Sequence, residues 1–408
     1  MTLAERFHQL DRFLGNHRAF WQIQPFHYRQ MPWTGELADL SDWLEGLDDA
    51  QLDRLTQDPA ALASALGPWL PQACEGLSLT DFAPLSAADF RWDARWSYQI
   101  PGRKWDQILA FARHVPTVEH PMLEWCAGKG HLGRLLAQVR GQPVTGLEID
   151  PALCQAGDAL ASRFDSQTRL VPQDVLAQDA REHLGPDTHA VALHACGDLH
   201  GRLLELVCAN RVPALSLSPC CYHRTSAPQY VAFSRAASRS VLALSRQDLA
   251  LAVQETVTAG RRVSRLRDIE IAWRLGFDEL QRELRGKDEY LPVPSFAKVL
   301  LSGDFSGFCA WAAAAKGMEL PPDPPHQEFE QIGYRRAART RRMELVIQLF
   351  RRPLETWLVL DRALYLQEQG YQVEVGSFCP RALTPRNLMI RAVRQPAAGD
   401  LEAKDQEG

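Results

Sequence analysis

Short apolar segments alternate with helical segments between residues 118 and 225, and no other feature of this 408-residue chain restricts its fold as strongly. The apolar segments predict five strands: PMLEWC, QPVTGLEID, TRLVPQDV, HAVALHAC and VPALSLSPCC. Strands that are separated by helical connections pair in parallel through right-handed crossovers. The alternation therefore predicts an α/β domain built on a parallel sheet.

Two further apolar segments near the C-terminus, GYQVEVGSF and PRNLMIRAV, are joined by only a short loop. Such a loop can join an antiparallel pair but is too short for a parallel crossover. A long helix is predicted before them, from about 336 to 369. The sheet is therefore expected to have seven strands, mostly parallel, with an antiparallel C-terminal hairpin.

The rest of the chain is predicted to be largely helical. Apolar residues three or four positions apart indicate an N-terminal helical region over 1–95. Helical segments punctuated by proline indicate an insertion over 226–325, after strand five, which is expected to be the substrate region. The sheet domain is expected to comprise 96–225 and 326–396, and a disordered tail is expected at 397–408.

Composition and charge argue against several classes of protein. A net charge of −5 gives no reason to expect a nucleic acid or an anionic membrane as partner of the whole chain. No apolar run approaches the roughly 18–20 residues of a membrane span, and the charged N-terminus lacks the apolar core of a secretory signal. The nine cysteines have no disulfide-scaffold spacing, so reduced thiols and a cytoplasmic location without membrane contact are expected.

The first strand is followed by Gly128, Gly130 and Gly133, which form the pattern G-x-G-x-x-G at the start of a helix. In a dinucleotide site, such a helix N-terminus binds a pyrophosphate. Glu124, near the end of the strand, would repel that anion, whereas it suits the ammonium and sulfonium charges of S-adenosylmethionine. We therefore predict S-adenosylmethionine as the cofactor, with a dinucleotide or a purely structural glycine turn as alternatives.

Two more acidic residues end the next strands. Glu148 ends the second strand, where a carboxylate can accept hydrogen bonds from ribose hydroxyls in either class of cofactor site. Asp174 ends the third strand, where it is expected to accept from the adenine amine or to cap a following helix. Five parallel strands closed by an antiparallel hairpin favour a Rossmann-like methyltransferase sheet over a dinucleotide fold, which would continue with parallel strands.

Three motifs occur in order along the predicted sheet, EWCAGKGHLGRLLA at 124–137, HACGDL at 194–199 and SPCCYH at 218–223, and TPRNLMIRAV follows at 384–393. With these motifs the chain resembles the class I S-adenosylmethionine-dependent methyltransferase domains of methyltransferase-like proteins and of the glutathione S-transferase C-terminal-domain-containing protein. It is more distantly similar to the tRNA acceptor-stem 2′-O-ribose methyltransferases. The resemblance covers 118–225 and the C-terminal strands, and it implies a methyltransferase without implying its substrate.

Methyl transfer is an in-line displacement in which the protein positions the acceptor and can remove its proton. The cofactor site is expected to include residues of the glycine loop and of the strand ends. These residues are Glu124, Cys126, Ala127, Gly128, Gly130, Leu132, Glu148, Ile149, Asp174, Val175, His194, Ala195 and Cys196.

The residues after the fourth and fifth strands are the candidates for catalysis. His194 is expected to act as a general base or to shape the cofactor pocket. Tyr222 and His223 are expected to face a substrate or to pack within their loop. The Asp/Asn-Pro-Pro-aromatic loop of many amine methyltransferases is absent, so ring-nitrogen and exocyclic-amine acceptors are less favoured.

The cysteines after these two strands allow several roles. RNA cytosine-C5 methyltransferases also place cysteines there, so Cys220 or Cys221 is a candidate nucleophile, although the expected Pro-Cys context is missing. Cys196, Cys220, Cys221 and His223 are candidate zinc ligands, but their spacing is not that of a zinc ribbon, and adjacent cysteines rarely bind one ion. No metal is therefore predicted, and Cys196 is expected to form part of the pocket wall.

Arginines are concentrated in GRRVSRLR at 260–267 and in YRRAARTRR at 334–342. Clustered arginines can bind phosphates, although a charge run can also be a solvated helix face. The chain is predicted to be an enzyme with RNA as its leading acceptor, and the distant resemblance to the tRNA 2′-O-ribose methyltransferases makes the ribose 2′-O of tRNA a candidate atom. The alternatives are a non-catalytic binding module of the same fold and a protein or small-molecule methyltransferase. The residues expected to contact RNA are Arg335, Arg336, Arg339, Arg341 and Arg342.

Overall fold

The computed structural model describes residues 1–254 and 261–395, apart from the side chains of 261–264. The predicted disordered tail at 397–408 and Gly260 of the first basic stretch lie outside the described residues. Within the described ranges, no helix is both long and apolar enough to cross a bilayer.

Seven strands form one mixed sheet. They are β1 (Met122–Trp125), β2 (Val144–Glu148), β3 (Thr168–Pro172), β4 (His189–Cys196), β5 (Ala214–Cys220), β6 (Tyr371–Ser377) and β7 (Leu388–Arg394). Their order across the sheet is β3-β2-β1-β4-β5-β7-β6. Strands β1 to β5 pair in parallel, whereas β7 is antiparallel to both β5 and β6. The predicted fold class, a Rossmann-like sheet with an antiparallel C-terminal hairpin, is therefore confirmed.

The central strands lie inside the fold. Every residue of β1 and of β5 is buried. Parallel strands are covered by helices on both faces, so they are mainly apolar rather than alternating. Between β4 and β5, His189 Nε2 and the Ser216 hydroxyl form a hydrogen bond of 3.0 Å, whereas His189 Nδ1 is buried without a hydrogen-bond partner.

The helices surround this sheet or form a second body. They are α1 (Leu3–Asn16), α2 (Arg18–Trp21), α3 (Ala38–Gly46), α4 (Asp49–Gln57), α5 (Pro59–Leu66), α6 (Ala73–Ser78), α7 (Gly102–His114), α8 (His131–Arg140), α9 (Pro151–Arg163), α10 (Asp198–Ala209), α11 (Arg235–Ser238), α12 (Arg246–Leu251), α13 (Arg261–Arg285), α14 (Phe305–Ala315), α15 (His326–Gln348) and α16 (Arg351–Glu368). Helix α9 shows how local sequence sets a boundary, because Asp150 accepts a hydrogen bond from Ala152 N and Pro151 occupies the first helical position.

The chain divides into two compact units. The sheet unit comprises Met1–Asn16, Ser78–Val257 and Arg351–Gly408, and the helical unit comprises His17–Leu77 and Thr258–Phe350. This grouping differs from the predicted division at 95, 225 and 325. The reason is that α2, α3 and α4 pack against α15, so the first helices join the insertion instead of forming a region of their own.

Within the helical unit, α13 and α15 approach each other closely. A Cβ on Gly333 of α15 would lie only 2.2 Å from the carbonyl oxygen of Ala272 in α13. Between the same helices, Arg336 pairs with Asp278 at 2.7 Å and with Glu279 at 2.9 Å. All three ion-pair partners are buried, and Arg336 is the cation that both acids share between the two helices.

The predicted long helix at 336–369 is wrong. The chain forms two helices instead, α15 and α16, which belong to different units. Phe350, between them, stacks on Trp21 in the core of the helical unit, whereas Trp357 of α16 packs against Phe7 of α1 in the sheet unit. The helix is interrupted because apolar residues on its two halves belong to separate cores.

Candidate active site

The loop between β1 and α8 carries the three predicted glycines. Gly128 and Gly130 have φ values of 59° and 61°, in the left-handed region that favours glycine. At Gly133, a Cβ would lie 2.7 Å from Glu124 Oε2, so close packing requires a glycine there. At Gly128, by contrast, a Cβ would meet nothing within 4 Å. Gly128 is therefore the position at which a ligand can approach the main chain.

Glu124 lies beneath this loop rather than at its surface. The residue is only 6% exposed, and Oε2 accepts a hydrogen bond of 2.8 Å from Gly133 N. Burial raises the pKa of Glu124 to about 8, against the opposing effects of that hydrogen bond and of the charges of Lys104 and Arg134. A further positive charge near the loop would favour the ionised carboxylate.

Glu148, at the end of β2, is held by the main chain through both oxygens. Oε2 accepts a hydrogen bond of 2.8 Å from Gly128 N, and Oε1 accepts one of 3.1 Å from Asp150 N. A carboxylate has about four lone-pair positions, so each oxygen can accept a further donor. The carboxylate is thus oriented beside the one glycine of the loop that borders open space.

Two large aliphatic side chains are exposed just beyond β2 and β3. Ile149 is 65% exposed and Leu176 is 49% exposed. Exposed aliphatic surface at the carboxyl edge of a parallel sheet suits a flat aromatic ligand. The prediction named Val175 instead of Leu176. Val175 is buried, because the turn after β3 directs it into the core, so Leu176 offers the larger exposed aliphatic surface and the contact of Val175 with a cofactor stays a prediction.

Asp174 is exposed in the same turn. Its Oδ1 accepts a hydrogen bond of 2.9 Å from Leu176 N. Residues 178–183 that follow form a 3₁₀-helix, so the side chain stabilises a turn and does not cap an α-helix. Oδ2 can accept a hydrogen bond from a donor such as an exocyclic amine.

Several other predicted cofactor residues contribute to the fold of the site. Ala127 N donates a hydrogen bond of 2.8 Å to Leu147 O, which ties the glycine loop to β2. Cys126 has a φ of 59°, and burial raises its pKa to about 12, so its thiol is neutral. Leu132 and Ala195 are buried in the core. The contacts of Leu132 and Ala195 with a cofactor stay predictions.

His194 lies in a bulge of β4, with a φ of 60°. Its Nε2 is 3.1 Å from Gln107 Oε1, and Gln107 Nε2 donates to Leu383 O at 3.1 Å. Because Gln107 Oε1 can only accept, His194 carries its proton on Nε2 and keeps Nδ1 as the accepting nitrogen. Burial lowers the pKa of His194 to about 4, helped by the charge of Arg386, so the imidazole is neutral at pH 7. Gln107 was not predicted, because nothing in its local sequence indicates this contact.

The structure brings three of the predicted cysteines together. The sulfur atoms of Cys196, Cys220 and Cys221 all lie within 4.8 Å of one another, and Cys196 Sγ is 3.6 Å from Cys220 Sγ. His223, the fourth candidate ligand, does not belong to this group. The cluster forms because β4 and β5 are neighbouring parallel strands whose carboxyl ends coincide.

Tyr222 and His223 have different surroundings. Tyr222 is 2% exposed, and its ring lies 5.7 Å from the ring of His200 and beneath the guanidinium of Arg362. Burial raises the pKa of Tyr222 well above its ordinary value. The structure thus supports packing within the loop, and burial excludes the predicted contact of Tyr222 with a substrate. His223 is partly exposed, and its Nδ1 is a buried nitrogen without a hydrogen-bond partner.

Four of the five arginines predicted to contact RNA are engaged inside the helical unit, while Arg335 is exposed. The predicted RNA contact is not supported for these four, because their side chains hold α15 to the neighbouring helices. Each forms ion pairs or hydrogen bonds: Arg336 with Asp278 and Glu279, Arg339 with Glu45, Arg341 with Asp49 and Asp53, and Arg342 with the carbonyl oxygens of Leu44 and Leu47.

Known proteins provide a family match for this region. Residues 103–228 match the family model described as a methyltransferase domain. A solved precorrin-6y C5,15-methyltransferase from Geobacter metallireducens is 10% identical over 34% of this chain and 74% of that chain, with a TM-score of 0.25. Coclaurine N-methyltransferase bound to N-methylheliamine and SAH is 14% identical over 53% of this chain and 63% of that chain, with a TM-score of 0.23. A possible exported protein from Bordetella parapertussis is 15% identical over 97% of this chain and 98% of that chain, with a TM-score of 0.27.

These three structures are only weakly similar to the chain, whereas the family match covers a continuous segment. The matched segment contains β1 to β5 together with the glycine loop, Glu148, His194 and the three cysteines. It confirms that the chain contains a methyltransferase domain and that S-adenosylmethionine is its cofactor. Gly128, where a Cβ would meet no atom within 4 Å, lies beside the Glu148 carboxylate, and Ile149 next to Glu148 is exposed. The resemblances to methyltransferase-like proteins, to the glutathione S-transferase C-terminal-domain-containing protein and to the tRNA 2′-O-ribose methyltransferases stay predictions. The identity of the methyl acceptor also stays a prediction.

Proposed function

We propose that the methyltransferase domain binds S-adenosylmethionine across the carboxyl ends of β1, β2 and β3, and transfers its methyl group to an acceptor held near the ends of β4 and β5. The observation that carries this proposal is the Glu148 carboxylate, which is oriented by Gly128 N and followed by the exposed Ile149. Open α/β sheets bind their ligands at this edge. The residues there suit a ligand with a ribose, a flat base and a positive charge.

The adenosine part of the cofactor suits the ends of β2 and β3. Glu148 would accept hydrogen bonds from the ribose hydroxyls with the lone pairs that its main-chain bonds leave available. Asp174 would accept from the adenine amine through Oδ2, since Oδ1 is bonded to Leu176 N. Ile149 and Leu176 would contact the base with aliphatic surface that is otherwise exposed to water.

The methionine part of the cofactor suits the glycine loop. Glu124 lies beneath that loop, and an ammonium and a sulfonium bound nearby would lower its raised pKa and favour the ionised carboxylate. Lys104 is exposed and close enough to Glu124 to lower its pKa, so it is a suitable cation for the carboxylate. A pyrophosphate at Gly128 would instead face the Glu148 carboxylate at close range. The Glu148 carboxylate therefore disfavours a phosphate at Gly128.

His194 is proposed to contact the acceptor. When bound, the cofactor supplies an electrophilic methyl group. His194 Nδ1 would accept a hydrogen bond from the acceptor and hold its proton, while Gln107 keeps the opposite nitrogen protonated. With its pKa lowered to about 4, His194 is a weak base. A weak base suffices because an oxygen or nitrogen atom becomes far more acidic as it is alkylated. Gln107 acts here as a positioning residue.

We propose RNA as the acceptor to test first, with ribose 2′-O as the candidate atom. The cations that support an RNA acceptor lie near the carboxyl edge of the sheet and not on α15. Lys104 and Arg224 are exposed, and Lys129 is partly exposed within the glycine loop. Cations in such positions can bind the phosphates that flank an acceptor nucleotide. A hydroxyl acceptor also agrees with a neutral histidine as the hydrogen-bond acceptor.

The acceptor can be identified with S-adenosylmethionine labelled in its methyl group. The full-length protein is incubated with this cofactor and either total RNA or total protein from the same lysate. Label that enters the RNA pool and is lost after RNase treatment supports the proposal. Label in the protein pool alone refutes RNA as the acceptor, and label in neither pool refutes a macromolecular acceptor. Glu148→Gln should abolish the incorporation, whereas Glu119→Gln, which changes an exposed carboxylate elsewhere in the sheet unit, should not.

A further inference from the structure

The cluster of Cys196, Cys220 and Cys221 is a geometric feature that the methyl-transfer proposal leaves unused. Its three sulfur atoms lie within 4.8 Å of one another at the carboxyl ends of β4 and β5. In the part of the chain that the structure describes, no other group of three histidine, cysteine or acidic side chains brings its ligand atoms together in this way. The question is what three thiols in this arrangement can bind.

A bulge in β4 brings the first cysteine into the cluster. Leu193 pairs with Ser218, but the next paired residues are Ala195 with Pro219, so His194 is an extra residue in β4. The bulge shifts the register by one residue and thereby places Cys196 opposite Cys220. Without it, Cys196 would lie beyond Cys220 and on the other face of the sheet.

A second backbone irregularity brings in the third cysteine. Successive side chains of a regular strand point to opposite faces, so Cys220 and Cys221 would normally diverge. Cys221 instead has a φ of 48°, in the left-handed region that non-glycine residues rarely adopt. This turn at the end of β5 lets adjacent cysteines direct their sulfur atoms to the same place. Adjacent cysteines rarely bind one ion because their side chains diverge, and the turn at Cys221 removes this obstacle for Cys220 and Cys221.

The distances suit a tetrahedral metal ion. Zinc–sulfur bonds of about 2.3 Å at tetrahedral angles separate two sulfur ligands by about 3.8 Å. The Cys196 and Cys220 sulfurs are 3.6 Å apart. A disulfide would require them to approach to about 2.05 Å, with movement of both strand ends. The present spacing therefore needs little adjustment for zinc and a large one for a disulfide.

The surrounding charges support thiolates at this position. Three thiolates and one Zn²⁺ carry a net charge of −1. The charges of Arg224 and Arg386 both act on the cluster, the first on Cys196 and the second on Cys221. Sulfur ligands select soft or borderline ions such as zinc over magnesium and calcium. A site of three protein ligands also leaves the fourth tetrahedral position for water or an acceptor atom.

We infer that Cys196, Cys220 and Cys221 together bind one zinc ion at the carboxyl ends of β4 and β5. Binding replaces three S–H bonds by three S–Zn bonds and releases three protons to solvent, with no change in oxidation state. The site adjoins His194, on the side of the sheet edge where the acceptor is proposed to bind. The inference does not depend on the identity of that acceptor, because it concerns the three thiols alone.

The test measures metal content in the full-length protein without a histidine tag. Protein produced in zinc-supplemented medium is dialysed exhaustively and analysed by mass spectrometry of the metal. The wild type is expected to retain one zinc per chain. Cys196→Ser and Cys221→Ser should each reduce zinc to background, whereas Cys208→Ser and Cys379→Ser, which change other free cysteines of the sheet unit, should retain it.

A second measurement, made on the wild-type protein, tests metal binding even if a cysteine variant of the cluster does not fold. The wild-type protein, stripped of metal under reducing conditions and titrated with Co²⁺, should develop a sulfur-to-cobalt charge-transfer band and the intense visible bands of a four-coordinate site. Zinc should then displace the cobalt and abolish those bands. The inference is overturned by zinc at background level together with no cobalt–thiolate band. It is equally overturned by an intact mass lower by two hydrogens with cysteines of this cluster as the linked pair, since that would show a disulfide.

Discussion

Glu124 Oε2 accepts a hydrogen bond of 2.8 Å from the main-chain N–H of Gly133, so the acid of β1 is tied to the first turn of α8. The same contact explains the third glycine of the motif, because a Cβ at position 133 would lie 2.7 Å from that oxygen. Glu124 therefore acts on the glycine loop from below. A cationic cofactor bound above it would favour its ionised form, while Glu148 presents its carboxylate at the edge of the open space.

Replacing Glu124 by Gln should change how stability depends on pH. Burial raises the pKa of folded Glu124 to about 8, from an ordinary value of 4.5. Between these values the folded state binds more protons than the unfolded state, so this group's contribution to stability is present below about pH 4.5 and is lost as the pH rises towards 8. The wild type should lose up to about 1.4 kcal/mol per pH unit relative to Glu124→Gln in this window.

Urea midpoints of the cofactor-free proteins, measured at pH 5 and pH 8, test this expectation. The comparison isolates Glu124 because buried histidines such as His189 contribute equally to both proteins. Glu119→Gln, which changes an exposed glutamate, should keep the wild-type slope. Parallel pH profiles for the wild type and Glu124→Gln would contradict the raised pKa.

Replacing Gly128 by Ala should weaken cofactor binding far more than it affects folding. Gly128 and Gly141 have φ values of 59° and 64°, and a Cβ would meet nothing within 4 Å at either position. Each substitution should cost about 1–2 kcal/mol of stability through backbone strain. Only the Cβ at position 128 would enter the proposed ligand space, so Gly128→Ala alone should lower the affinity for S-adenosylmethionine, by at least about tenfold. Equal affinities of the two variants by calorimetry would argue against a site at Gly128.

Replacing Ile149 by Asn should reduce cofactor affinity without reducing stability. The side chain is largely exposed, so its removal should change the free energy of unfolding by no more than about 0.5 kcal/mol. Covering an aliphatic side chain by a ligand contributes about 1.5–3 kcal/mol, which corresponds to roughly a tenfold or greater loss of affinity. Val231→Asn, at a comparably exposed position of the sheet unit, is the control and should bind normally. Unchanged binding by Ile149→Asn would exclude Ile149 from the adenine site.

Replacing Gly197 by Ala should destabilise the sheet unit. Gly197 has a φ of 52°, and a Cβ there would lie 1.9 Å from the carbonyl oxygen of Arg224. Backbone strain and the clash together should cost about 3 kcal/mol. Thermal unfolding should show a lower Tm for Gly197→Ala than for Gly141→Ala, which has the strain without the clash. Equal Tm values would mean that the loop carrying Arg224 can move away at little cost.

The sheet was predictable because its signals are local. The apolar strands, the glycine loop and the short hairpin connection each occupy a continuous segment, and the order of parallel strands follows from their connections. Glu148 was identified for the same reason, since the end of a strand fixes where its side chain lies. The break between α15 and α16 was not predictable, because it depends on which core buries Phe350 and which buries Trp357.

The missed details of the site depend on turns and on distant partners. One turn exposes Leu176 and buries Val175, although both are aliphatic and adjacent in sequence. The cysteine cluster requires an extra residue in β4, which no spacing of Cys196 and Cys220 reveals. The binding of Arg336 to Asp278 joins two helices 58 residues apart, so the sequence alone left that arginine as a candidate for RNA contact.

We propose that the glycine loop accepts a cationic methyl donor and rejects a phosphate-bearing dinucleotide. The most direct test is calorimetric titration of the full-length protein with S-adenosylmethionine and, separately, with NAD. We expect saturable binding of one S-adenosylmethionine per chain, weaker by at least about tenfold in Gly128→Ala, and no binding of NAD. Saturable binding of NAD with no heat from S-adenosylmethionine would contradict this proposal.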